Sequence, residues 1–154
     1  MATSAGGAHP HVEELRILLI VVGEKGRSAC FRNPDRQVVR RIRVDGGLVR
    51  DGVRADFIVS KPAIVDVIVE LKGSDTAHGV AQVEATRLIW GEHALAGKVF
   101  AALIVRTQGI HPRHQANIQR WKTRFQMRYG MVLLVETRNR EYEFHEFVAR
   151  KTNA

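Results

Sequence analysis

Three short apolar runs dominate the second half of this 154-residue chain: "AIVDVIVELK" at 63–72, "KVFAALIVRT" at 98–107 and "MVLLVETR" at 131–138. The spacing leaves a helix-length stretch between each pair. The continuous runs at 98–107 and 131–138 suit strands covered on both faces, the run at 63–72 reads as a half-buried strand, and parallel strands need a helical crossover to connect them. The pattern therefore predicts strand, helix, strand, helix, strand from about residue 63 onward. Before it, "SACFRN" and "VVRRIRVDGGLVRDGVRADFIVS" read as short strands separated by "DGG" and "RDG" turns, which makes the first third β-rich. "LRILLIVVG" at 15–23 fits a strand or a helix end equally well. The predicted class is α/β, with a mixed central sheet flanked by α-helices.

Gly73 closes the first of the three runs, and Ser74 or Asp75 can cap a helix reaching about His93, with Val80, Val83, Leu88 and Ile89 turned inward. A second helix, about Pro112 to Arg128, buries Ile118, Trp121 and Phe125 and presents Arg120 and Arg124. Trp90 and Trp121 read as core or interface anchors. Residues 1–11, "MATSAGGAHPH", are small and polar and are expected to be disordered, which leaves 12–154 as a single domain.

Eighteen Arg and six Lys against sixteen acids give a formal net charge of +8 and a pI near 10.4. Such a surface favours a polyanionic partner, since guanidinium forks match phosphate oxygens in pairs. No run approaches the ~20 apolar residues that cross a bilayer, so no membrane partner is expected and a cytoplasmic setting is. Cys30 is the only cysteine, which excludes an intrachain disulfide and a Cys-based metal centre. "HPH" at 9–11 and "HPRH" at 111–114 lack the third ligand that zinc requires.

The end of the first run carries the chemistry. Side chains alternate along a strand, so Glu70 and Lys72 leave one face about 7 Å apart, while Val69 and Leu71 turn to the other. A reversal near Pro62 and Ala63 sets "RADFIVS" antiparallel to this strand and brings Asp56 opposite Glu70, with Cβ atoms about 5 Å apart. Two converging carboxylates repel each other unless a cation joins them. Mg²⁺, which takes one or two carboxylates plus water and phosphate oxygens, suits the pair, and Mn²⁺ would substitute. Asp66 shares the parity of Glu70 but lies about 13 Å back along the strand, a position suited to a strand-end contact. The competing account is a solvated Glu70–Lys72 ion pair with little energetic weight.

Asp56 followed by Glu70-Leu71-Lys72, within "RADFIVSKPAIVDVIVELKG", resembles the PD-(D/E)XK nuclease superfamily, the restriction-endonuclease-like fold. The helix, strand, helix, strand order that follows is similar to that family's core, and the likeness spans roughly 41–135. This is the chain's only Glu-x-Lys. Ala55 stands where the family has a proline, and its further acid from an N-terminal helix has no clear match, Glu13 and Glu14 being the candidates. The resemblance implies a Mg²⁺-dependent endonuclease acting on DNA rather than RNA. Asp56 and Glu70 would hold the metal with the Leu71 carbonyl, and Lys72 would orient the attacking water. Gln82 would support the site from the helix, as in some branches of the family. Thr86 occupies the place where those branches carry a tyrosine. Arg41, Arg43, Arg54, Arg120 and Arg124 are the expected nucleic-acid contacts. A homodimer acting on two strands in the manner of junction resolvases, or a defence or mobile-element nuclease with a partner protein, fits the size. The alternative is a non-catalytic nucleic-acid-binding module of the same fold.

Overall fold

The computed structural model describes residues 3–4, 9–24, 27–49, 52–71, 75–106, 109, 112–137 and 140–149. Among them the chain builds a mixed seven-stranded sheet, a smaller three-stranded sheet and two α-helices. The strands of the large sheet are β1 (Thr3–Ser4), β2 (Val12–Leu15), β5 (Val39–Arg43), β6 (Phe57–Lys61), β7 (Val65–Glu70), β8 (Phe100–Val105) and β9 (Val132–Glu136), in that spatial order. Pairing is antiparallel up to β6·β7 and parallel for β7·β8 and β8·β9. The parallel pairs are joined by helix α1 (Thr76–Gly91) and helix α2 (Pro112–Tyr129), as the spacing of the three apolar runs requires. Every residue of β7 is buried, so the strand has no solvated face.

Strand alternation divides the core in two. Ile42, Ile58, Ile68, Ala102, Ile104 and Leu133 face Val80, Val83 and Trp90 of α1 and Phe125 of α2. Val59, Val67, Val69, Leu103 and Val105 face the second sheet, where β3 (Leu19–Glu24), β4 (Arg27–Arg32) and β10 (Glu141–Glu143) supply Ile20, Val22, Phe31 and Tyr142. A 3₁₀ helix, Phe144–Phe147, closes that side with Phe144 and Phe147. The expected sheet flanked by helices is thus corrected on one face: the helices share a side, and the other is covered by strands. The reason is connectivity. Right-handed crossovers between successive parallel strands lay both helices on the same side, and the β-rich first third is left to cover the other.

Two expectations about local structure change. Thr3–Ser4 pair antiparallel with Glu13 and Glu14, the His9 carbonyl accepts the Val12 N–H at 3.1 Å and the His11 carbonyl accepts the Arg43 N–H at 3.1 Å. Those parts of the 1–11 segment are therefore held by backbone pairing, which a composition of small polar residues does not reveal. Leu88 and Ile89 are 67% and 39% exposed. The buried stripe of α1 runs instead through Thr76, Gly79, Val80, Val83, Thr86 and Trp90 at steps of three and four. Asp75 rather than Ser74 is the observed cap, its carboxylate accepting the His78 N–H at 3.0 Å. The second helix matches its expected span, with Ile118 and Phe125 buried and Trp121 half-buried. Its end is set by Gly130, at φ +63, a left-handed backbone conformation that favours glycine.

Candidate functional site

The hairpin of β6 and β7 fixes the relation between the two carboxylates. Ser60 registers with Asp66, Ile58 with Ile68 and Phe57 with Val69. One step further, Asp56 meets Glu70, and alternation puts both on the face covered by the helices. The turn between the strands uses Ala63 at φ +68, and Ile64 donates its N–H to the Lys61 carbonyl at 3.0 Å. A slip of one residue there would carry Asp56 to the opposite face.

Each carboxylate has a distinct setting. Glu70 is fully buried, and a Cβ at Gly79 of α1 would lie 3.6 Å from its Cγ and 3.5 Å from Ile104. The solvated ion-pair account therefore fails for Glu70. Asp56 is half-buried and its Oδ2 accepts the Leu71 N–H at 2.9 Å. Leu71 meets Asp56 through that donor, while its carbonyl accepts Arg27 Nη1 at 3.4 Å and its side chain packs in the core facing the small sheet. The Leu71 amide thus orients the aspartate. Lys72 lies outside the described residues.

Two α1 side chains, Gln82, expected to support the site from the helix, and Thr86, hold the backbone on the N-terminal side of Asp56. Thr86 Oγ1 accepts the Ala55 N–H at 2.7 Å and donates to the Gln82 carbonyl at 2.8 Å. Gln82 Nε2 donates to the Arg54 carbonyl at 3.0 Å, while its Oε1 is buried with no partner among the described residues. Buried polar atoms are nearly always satisfied, so an unpaired oxygen beside a carboxylate marks a place for a donor or a cation. A cleft of about 260 Å³ opens here, with Asp45, Arg54, Asp56, His78 and Gln82 among its walls. The signal available in sequence was a pair of polar residues four apart, Gln82 and Thr86, on a helix face that is otherwise core.

The arginines divide. Arg54 borders the cleft, yet its guanidinium is engaged locally, with Asp45 at 2.7 Å and the Gly52 carbonyl at 2.5 Å. Arg41 and Arg43 register with Val59 and Phe57, so they leave the sheet on the face opposite Asp56 and Glu70. Arg41 there pairs with Glu13 at 2.9 Å and donates to the Val21 carbonyl at 2.7 Å; Arg43 reaches the Asp45 carbonyl at 3.2 Å. They therefore lie on the sheet face away from the two carboxylates, where alternation from the shared register puts them. Glu13 sits with Arg41 on that far face, and Glu14 pairs with Arg40 at 3.3 Å, so neither stands beside Asp56 as a further acid. Arg120 and Arg124 are exposed on α2, which covers the same sheet face as α1, and Arg124 pairs with Glu84 at 2.5 Å.

The donor set is oxygen-rich, which suits a hard cation. Among the described residues no group of three His, Cys, Asp or Glu side chains could hold a metal. A cation at Asp56 and Glu70 would therefore depend on water and on oxygens of the substrate. No helix among the described residues is long and apolar enough to cross a membrane. Comparison with protein-family models, with curated proteins and with solved structures gave no match.

Proposed function

We propose that the chain is a Mg²⁺-dependent nuclease of the restriction-endonuclease-like fold that hydrolyses phosphodiester bonds in DNA. The observation that carries this reading is the opposed placement of Asp56 and Glu70 on neighbouring strands, facing one side, with Asp56 at the edge of a cleft. Supporting it are the order of strands and helices after β5, which resembles the family's core, and a net charge of +8.

Mg²⁺, where bound, would polarise the scissile phosphate and lower the pKa of a water. This chain's residues have narrower tasks. The Leu71 N–H fixes the rotation of the Asp56 carboxylate. Thr86 and Gln82 fix the backbone at Ala55 and Arg54, so the aspartate enters the cleft from a rigid support. Glu70 is held in a buried position under Gly79 of α1. Lys72, two residues on, would orient the water and offset charge growing on the phosphate. A homodimer would offer two such sites to two strands.

The test uses plasmid, single-stranded and branched DNA and RNA, each with Mg²⁺, Mn²⁺ or EDTA. Wild type cuts DNA in the divalent ions and is silent in EDTA. Lys72→Ala and Glu70→Ala lose cutting, and Glu70→Ala still retains DNA in Ca²⁺. Cutting that ignores EDTA or survives the lysine change would defeat the mechanism. The complete burial of Glu70 and the lack of a third acid beside the pair among the described residues favour a second reading, a nucleic-acid-binding module without catalysis. That reading expects no cutting by wild type under any metal, with salt-dependent retention of DNA intact.

A further inference from the structure

Four cations carried by strands stand beside carboxylates: Arg32 meets Glu143 at 3.1 Å, Arg40 meets Glu14 at 3.3 Å, Arg41 meets Glu13 at 2.9 Å and Lys61 meets Asp35 at 2.8 Å. The helices are built differently. Helix α2 contains Arg113, Arg120, Lys122, Arg124 and Arg128 and no acid, so this one helix supplies five positive charges to a chain whose net charge is +8. Helix α1 adds Arg87 and a single acid, Glu84. That acid is already shared, since it accepts Arg124 Nη2 at 2.5 Å and the Tyr129 hydroxyl. Arg87 and Arg128 approach the Tyr129 ring instead, at 4.2 and 5.8 Å from its centroid. Neither they nor Arg120 and Lys122 form an ion pair among the described residues. Arg120, Arg124 and Arg128 follow at steps of four, which makes a stripe along one flank of α2 with a rise of ~6 Å per step. The stripe borders α1, because Arg124 and Tyr129 both reach Glu84.

We propose that the arginine flank of α2, together with Arg87 of α1, is the surface on which a nucleic-acid backbone lies, and that Glu84 limits how tightly it is held. Unpaired guanidinium groups in a regular row suit a polymer with regularly spaced phosphates, and such binding reads charge rather than base sequence. The neighbours of the stripe argue for nucleic acid over an acidic protein. Gln115, Gln119, Thr123 and Gln126 are exposed on α2, and Met127 is the one large apolar side chain exposed there among the described residues. A protein interface is built on an apolar centre. Amides, a hydroxyl and guanidinium groups are the set that contacts phosphate and sugar oxygens. Both helices cover the sheet face to which Asp56 and Glu70 turn, whereas Arg41 lies on the other. The identity of the polymer rests on the proposed nuclease function; the surplus of charge on the helices does not.

The full chain in EDTA is titrated against a labelled duplex DNA of mixed sequence, and separately against labelled poly-glutamate, with anisotropy followed over a range of salt. The helix variant, Arg120→Gln with Arg128→Gln, removes two exposed charges from the stripe. The control, Arg16→Gln with Arg36→Gln, removes the same charge from exposed positions just after β2 and just before β5. At about 0.15 M salt, where charges are screened over ~8 Å, the helix variant is expected to bind DNA about tenfold more weakly and to lower the magnitude of the salt slope by roughly two. The control changes affinity less than about twofold. Glu84→Gln, which leaves the two helices without an acid, tightens binding about threefold. Equal losses in the helix variant and the control, or no loss in the helix variant, overturns the proposal. A folded Glu84→Gln that fails to tighten binding overturns the role given to that acid. Retention of poly-glutamate with none of DNA overturns the nucleic-acid assignment. Wild type that binds DNA through the helices yet never cuts in Mg²⁺ removes the nuclease reading and leaves this surface standing; cutting with binding unchanged in the helix variant does the reverse.

Discussion

Trp90 donates its indole N–H to Asp66 Oδ2 at 2.8 Å, and both side chains are buried in the layer between the large sheet and α1. The same oxygen accepts the Gly97 N–H at 2.8 Å, and Ser60 Oγ donates to Oδ1 at 2.5 Å. One carboxylate thus ties β6, the last turn of α1 and the loop into β8 to the first half of β7. That strand carries Glu70 at its other end, so this network sets the depth at which the candidate site sits.

Replacing Asp66 by Ala leaves the buried Trp90 and Ser60 donors, and the Gly97 N–H, without this acceptor. The expected loss is about 3 to 5 kcal/mol, read from urea unfolding. Asp66→Asn keeps one acceptor and turns an amide N–H₂ against a donor, with a loss of about 2 kcal/mol. A change under about 1 kcal/mol in the alanine variant would show that the network does not hold the strand.

His93 stacks on Trp90 with ring centroids 4.6 Å apart, and its Nδ1 accepts the Leu95 N–H at 3.1 Å. Burial first, and the charge of His9 second, hold its pKa below the ordinary histidine value of 6.5. The unfolded chain therefore takes up the proton before the folded one. Stability should be flat above about pH 7 and fall as pH drops through 6.5 towards the lower folded pKa, then level off. His93→Gln should remove that part of the slope in urea midpoints taken across this range. An unchanged slope would assign it to other groups.

Tyr142 is fully buried, and its hydroxyl has no partner among the described residues. Burial, aided by Glu136, pushes its pKa up to about 12, against the pull of Arg140, whose guanidinium lies 4.1 Å from the ring centroid. Tyr142→Phe keeps the ring contacts with Phe31 and Phe147 and removes the unpaired hydroxyl. The variant should unfold at higher urea, by about 1 kcal/mol. A loss of the same size would reveal a bond that the hydroxyl makes.

Gly79 sits inside α1 above Glu70, and an added methyl would make ordinary contacts of 3.5 to 3.6 Å with Ile104 and with Glu70 Cγ. Gly79→Ala should therefore stabilise the helix by about 0.5 to 1 kcal/mol. A drop in the thermal midpoint would mean that Glu70 needs the open space.

Local pattern was enough to determine the order of elements from β6 onward, the antiparallel register of the hairpin and the shared face of Asp56 and Glu70. These depend on period-2 alternation and on a short turn, which are properties of neighbouring residues. The tertiary structure decided the rest. Which layer covers each face of the large sheet, the side to which Arg41 and Arg43 turn, and the burial of Glu70 all follow from packing between segments far apart in the chain. Thr86 and Gln82 became supports for Asp56 only because α1 crosses the start of β6, about thirty residues away in sequence. No window of local sequence contains that contact. Arg106, read along the chain, is one more arginine after an apolar run; only the fold brings it to Thr76 and into a shared depression with α2.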